Sequence, residues 1–134
     1  MRQKMATCTI VSKINCDIKR VWQVVTSFKE CAWRSDLKET KILDETHFVE
    51  ISKNSRQTNF KITLFKPYER LELEIENESI NGSWIGNFKE ENSQTILNFT
   101  ENIKPKNILL TPILYFYLKR QQNLYILDLK RVLK

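Results

Sequence analysis

Apolar and polar positions along the chain change their spacing twice, and the changes divide it into three parts. Residues 6–14, "ATCTIVSKI", read as a first strand. The next stretch, "NCDIKRVWQVVTSF", switches to helical spacing: Ile18, Val21, Trp22 and Val25 share one face, and Asp17 stands where an N-cap belongs. Lys29 to Asp36, "KECAWRSD", predicts a second short helix or a turn. From Thr40 to Ile103 the period falls to two. In "YERLELEIEN", Leu71, Leu73 and Ile75 lie on one face and Glu72, Glu74 and Glu76 on the other, the pattern of an antiparallel strand buried on one side. Around it strands are predicted at 38–44, 46–53, 57–66, 81–90 and 93–103. Turns are expected at Asp44-Glu45, Asn54-Ser55, Lys66-Pro67, Glu78-Ser79 and Glu91-Asn92.

Every one of these connections is short, so the strands after the first form a meander of hairpins. Pro105-Lys106-Asn107 then leads into a terminal helix in "TPILYFYLKRQQNLYILDLKRVLK", about 20 residues and roughly 30 Å long. A curved sheet of this size has an apolar concave face that must be covered, and only this helix is long enough to cover it. The expectation is an α+β fold: a curved antiparallel sheet of about seven strands wrapped around a long C-terminal helix, with two short helices after the first strand.

Composition narrows the class. The chain has 134 residues, 41% hydrophobic and 28% charged, which suits one soluble globular domain spanning residues 1–134. The apolar run from Ile108 to Leu118 is broken by Thr111 and Pro112, and it is about half the length a membrane span needs. The N-terminus "MRQKMATCTIVSK" has no apolar signal core, which predicts a cytoplasmic location. Cys8, Cys16 and Cys31 are odd in number and form no C-x-x-C pair, so they read as reduced thiols. The N-x-[ST] sequons at Asn77, Asn81 and Asn98 read as chance.

Charge separates the terminal segment from the rest. The net charge is +6, and all of it falls between Lys104 and Lys134, where seven Lys or Arg face one acid, Asp128. An anionic partner there, such as phospholipid, is one reading; a solvated helix face with favourable charge at its C-terminus is the other.

The element order and several local motifs together resemble the START/Bet v 1-like helix-grip superfamily, SRPBCC, and within it the polyketide cyclase/dehydrase-like group. The motifs are "DIKRVWQVVTSF" after the first strand, "AWRSDLKETKIL" with Trp33 ahead of the second, "KPYERLELEIE", and "GSWIGNFKEENSQTILNFTENI" in the last two strands. The last hairpin departs from the pattern: "NSQT" keeps Thr95 but has no glycine. The resemblance implies a helix-grip fold with a hydrophobic cavity between sheet and helix. Members bind lipids, sterols, polyketides or plant hormones, and a few catalyse cyclisation or dehydration, so the fold alone does not decide function.

On a helical wheel of the terminal helix, Leu110, Leu114, Tyr117, Leu118, Tyr125, Leu129 and Val132 fall in one stripe, with Leu124 and Asp128 at its edge and Gln121 near its middle. An amide there needs a hydrogen-bond partner and is a candidate anchor for a mostly apolar ligand, or is bonded to the sheet. Tyr117 and Tyr125 bracket it, as cavity lining or as plain core. Trp84 and Phe88 share a strand face with Gly86 between them, a site of close approach or of sheet bending. Trp33 is a core plug or a mouth element, and Arg34 faces solvent or an anionic ligand group. The ligand-lining candidates are therefore Trp33, Arg34, Trp84, Phe88, Tyr117, Gln121 and Tyr125.

Catalytic signals are sparse. His47 is the one histidine and is expected at an exposed strand start without a carboxylate partner. No metal, cofactor or nucleophile motif appears; with two glycines, Gly82 and Gly86, no phosphate-binding loop exists. Glu50 and Glu101 each interrupt an apolar alternation: in a shifted register they point into the cavity as a carboxylate pair suited to proton transfer, but they are expected at the surface near strand ends. The leading reading is a binder of a hydrophobic small molecule of lipid, polyketide or aromatic type. The alternatives left open are a cyclase/dehydratase-like enzyme, and a protein- or membrane-interaction module using Phe116 and Leu127 beside Arg120 and Arg131 as a homodimer or anionic-membrane surface. Nucleic acid is disfavoured, since the first 103 residues carry no net charge.

Overall fold

The structure is a computed structural model that describes residues 5–134; the first four residues of the N-terminal stretch read above lie outside the described residues. The elements are β1 (Ala6–Ile14), α1 (Ile18–Val25), β2 (Leu37–Ile42), β3 (His47–Ser52), β4 (Gln57–Lys66), β5 (Arg70–Glu76), β6 (Ile80–Glu91), β7 (Gln94–Pro105), a 3-10 turn (Ile108–Leu110) and α2 (Thr111–Val132). The seven strands form one antiparallel sheet in the order β1-β7-β6-β5-β4-β3-β2. The first strand thus pairs with the last, and β2 to β7 run as an uninterrupted meander. Residues 15–36 carry the chain from one sheet edge to the other.

Local chemistry explains each boundary. Asp17 caps α1, its carboxylate accepting from the Arg20 backbone N–H at 3.1 Å. Val21, Trp22 and Val25 are the buried face of that helix, and the Trp22 ring meets Phe88 edge-on at 4.8 Å. In β5 the alternation buries Leu71, Leu73 and Ile75 on the concave side. In β7, Leu97, Phe99 and Ile103 form the matching concave row. Lys130 and Arg131 occupy the last turn of α2, where the helix dipole favours cations.

Lys29 to Asp36 forms a chain of turns and not a second helix, so one short helix follows β1. Its anchor is remote in sequence: Asp128, buried in α2, accepts from both the Ser35 backbone N–H and the Ser35 hydroxyl at 2.8 Å, and also pairs with Arg131.

The terminal helix is rotated from the expected stripe. Leu114, Leu118, Gln122, Ile126 and Leu129 are buried, while Tyr117 is 49% exposed and Val132 is at the surface. The buried amide is therefore Gln122, not Gln121. The reason lies in where the helix docks. It packs along β1 and β7 rather than over the middle of the sheet, so the face toward β1 is sealed and the neighbouring face, with Tyr117 and Gln121, looks toward the uncovered concave surface. Phe116 and Leu127 project outward, as expected.

The β6–β7 hairpin turns on Asn92 and Ser93, with φ of 52° and 64°. Two left-handed residues in a two-residue loop give the type I′ geometry that matches strand twist. A serine pays a steric penalty there that glycine avoids. Ser93→Gly is expected to stabilise the fold by about 0.5–1 kcal/mol, read as a rise in the midpoint of chemical denaturation with an unchanged slope.

Candidate functional site

Because α2 covers only the β1–β7 side, a cavity of about 850 Å³ remains between the helix and strands β3 to β7. Its apolar wall includes Phe48, Phe60, Leu71, Leu73, Ile75 and Phe99 from the sheet and Leu114 and Leu118 from the helix. Phe48 and Phe60 stack at 4.9 Å with their planes 3° apart, giving one wall a flat aromatic surface. The core is accordingly split into two clusters, one around Trp22, Phe99 and Leu129 and one around Cys8, Ile103 and Leu118, with Phe60 and Trp84 packed against both.

Six of the seven residues singled out in the sequence line this cavity: Trp33, Arg34, Trp84, Tyr117, Gln121 and Tyr125. Phe88 does not. It points to the α1 side, where Trp22 covers it. The Trp84 indole lies over the Gly86 position, where a Cβ would meet it at 2.5 Å. Gly86 thus makes room for the chain's own tryptophan, which then packs on Phe99 at 4.7 Å.

The polar side of the cavity holds Arg34 together with two carboxyls, Glu50 and Glu101, that were expected at the surface. Arg34 does not face solvent. It donates to Asp36 through Nε and Nη2, both at 2.9 Å, and to Glu50 through Nη1 at 3.3 Å. Its guanidinium sits 4.9 Å from the Tyr125 ring centroid, within cation–π range. Burial works against the charge, but Glu50 and Asp36 outweigh it and hold the guanidinium above its usual range. Burial pushes the Glu50 carboxyl up, against the pull of Arg34. Burial likewise raises the Tyr125 phenol, with Arg34 opposing.

Glu101 is the second inward carboxyl. It occupies the concave row of β7 between Phe99 and Ile103, directly across from Cys8 on β1 and Trp84 on β6. Burial pushes it up to about 7, while the adjoining Gln122 side chain and Arg34 pull the other way and Glu50 adds to the rise. The Gln122 Nε2 donates to the Cys8 carbonyl at 2.9 Å, and its buried Oε1 has no partner. Register was the available signal: an inward row anchored by Leu97, Phe99 and Ile103 places residue 101 inward as well. His47 also differs from expectation. It is half-buried, its Nδ1 lies 2.9 Å from Asp44, and it lines none of this cavity.

No family model and no curated protein matches the chain. Solved structures do match over nearly its whole length. A START superfamily protein from Mycobacterium smegmatis superposes with a TM-score of 0.81 at 10% identity, covering 95% of this chain and 96% of that one. A conserved protein from Geobacillus kaustophilus gives 0.78 at 11% identity, covering 97% and 95%. DynU16, a protein of the dynemicin biosynthetic locus, gives 0.75 at 11% identity over 93% of this chain and 46% of its own.

The raised Glu101 carboxyl has a consequence for stability. A folded value of about 7 against an ordinary 4.5 favours the protonated form in the folded state. That stability is fully present below about pH 4.5 and is lost as pH rises through 7. Glu101→Gln, which copies the neutral form, is expected to match the parent near pH 4.5 and to exceed it at pH 8, by up to about 3 kcal/mol, in urea denaturation at the two pH values. The curved seven-stranded sheet, its gripped terminal helix and these superpositions identify the architecture of the chain as the START/Bet v 1-like helix-grip fold.

Proposed function

We propose that the chain binds a hydrophobic small molecule in the cavity between the curved sheet and α2. The observation that carries this reading is the cavity itself: about 850 Å³ of space walled by aromatic and aliphatic side chains, with a few polar groups converging on one side. That combination is the general form of a small-molecule site. Packing normally eliminates voids of this size, since unfilled apolar space forfeits dispersion contacts. A ligand that buries about 300 Å² of apolar surface there gains roughly 7 kcal/mol of gross transfer free energy before the costs of association. Gln121, Tyr117 and Tyr125 on the helix and Trp33 and Trp84 opposite supply shape and orientation.

A second reading concerns access. Ile108, Leu109, Ile113 and Phe116 are 62–80% exposed at the start of α2, next to the cavity-lining Leu110 and Tyr117. Lys104, Lys106, Lys119 and Arg120 belong to the same basic segment. An exposed apolar surface on a segment of net positive charge fits the interface of an anionic membrane, from which an apolar ligand is collected.

The binding reading is tested with N-phenyl-1-naphthylamine, whose fluorescence rises in an apolar site. The parent protein is expected to bind it saturably at one site. Gln121→Trp, which puts an indole into the cavity from a half-buried position, is expected to weaken binding at least tenfold with little change in thermal midpoint. Equal binding by both proteins would remove the cavity from the account.

A further inference from the structure

The cavity's polar groups are mismatched in a way that specifies the ligand's head. Three carboxyls, Asp36, Glu50 and Glu101, surround one guanidinium, and Arg34 is already committed to the first two. The other charged residues on the wall, Glu30, Lys53 and Arg56, are exposed side chains on turns at its rim. No uncommitted cation therefore lies deep in the cavity among the described residues. Beside Glu101, the Gln122 Oε1 is a buried acceptor with no donor. Its amide cannot rotate to offer a donor without abandoning the Cys8 carbonyl, which its Nε2 holds at 2.9 Å.

Building on the binding reading above, we propose that the cavity takes an apolar molecule carrying an amine, with its ammonium held between the Glu101 carboxylate and Gln122 Oε1. The ammonium supplies the donor that Gln122 Oε1 lacks, and the Glu101 carboxylate gains a cation where three carboxyls share one guanidinium. In the empty cavity a proton on Glu101 meets part of that need. Binding of an already protonated amine displaces this proton to solvent, so the exchange is neutral in charge. A carboxylic acid of the same shape meets two acceptors and no free cation, and is disfavoured.

The groups facing Glu101 from each packed element are consistent with this. From β1 comes Cys8, whose thiol is held up by burial and stays neutral. From α2 come Gln122 and Tyr125, the latter a phenol held above its usual range by burial. Glu50 on β3 disfavours a second negative charge, and Arg34 partly offsets it. Trp84 across on β6 carries no charge.

The test compares 2-naphthylmethylamine, 2-naphthylmethanol and 2-naphthoate by calorimetry, on the full chain that binds N-phenyl-1-naphthylamine. At pH 8 the amine is expected to bind at least tenfold more tightly than the alcohol, and the naphthoate most weakly. Between pH 6 and pH 8 the amine's affinity is expected to rise about tenfold, as Glu101 ionises, while that of the alcohol stays flat. Proton release should show as a dependence of the measured heat on the buffer. Glu101→Gln should abolish both the preference and the pH dependence. Gln122→Met, which keeps the packing and removes the acceptor, should reduce the preference. Tighter binding of naphthoate, or an amine preference unchanged in Glu101→Gln, overturns the proposal. So does failure of all three naphthyl compounds in a protein that still binds N-phenyl-1-naphthylamine, a result that leaves the cavity reading intact; loss of that probe as well overturns both.

Discussion

One helix has to cover the concave face of seven strands, and it lies along only two of them. From that mismatch the rest of the structure follows. The sheet curves because its meander is tightly connected and twists, and the curvature creates an apolar hollow wider than a helix. α2 docks against β1 and β7, where Leu118, Ile126 and Leu129 find a continuous apolar surface. Phe48, Phe60 and Trp84 are left lining the cavity. The chain spends its large side chains on the walls of the hollow and not on its filling, which divides the core into two clusters with a cavity between them.

The polar side of the cavity depends on a long-range tie. Asp128 fixes Ser35, and this holds the turns on which Trp33, Arg34 and Asp36 are mounted. Arg34 can then stay charged in a place where water is scarce, because two carboxylates and an aromatic face replace its hydration. A buried ionic group of this kind contributes little net stability. Beside it stand an amide oxygen with no partner and the Glu101 carboxyl, which burial pushes up.

Much of this architecture was legible in the chain. Strict alternation over Leu71, Leu73 and Ile75, the Asp17 cap and the turn residues located the strands and α1 to within a few positions, since each signal is local. The choice between a helix and turns for 29–36 was not legible, because their conformation is set by Asp128, 93 residues from Ser35. The helix face was read one residue off because a wheel shows where apolar residues gather, not which flank meets the sheet. Glu50 and Glu101 were read outward for a similar reason: a charge in an alternating strand looks solvent-facing until cross-strand register, here Cys8 and Trp84 opposite Glu101, places it inward. The residues that break the local rules are the ones gathered at the cavity, which is where such conflicts are expected.

The central claim is that the hollow beneath α2 is a ligand site and not a fault in packing. Native mass spectrometry addresses it most directly, on protein incubated with N-phenyl-1-naphthylamine and sprayed under gentle and then denaturing conditions. The account predicts a single adduct that survives gentle ionisation, is lost on denaturation, and is absent from Gln121→Trp. An unliganded mass under both conditions, across a panel of fatty acids, sterols and aromatic polyketides as well, would contradict it.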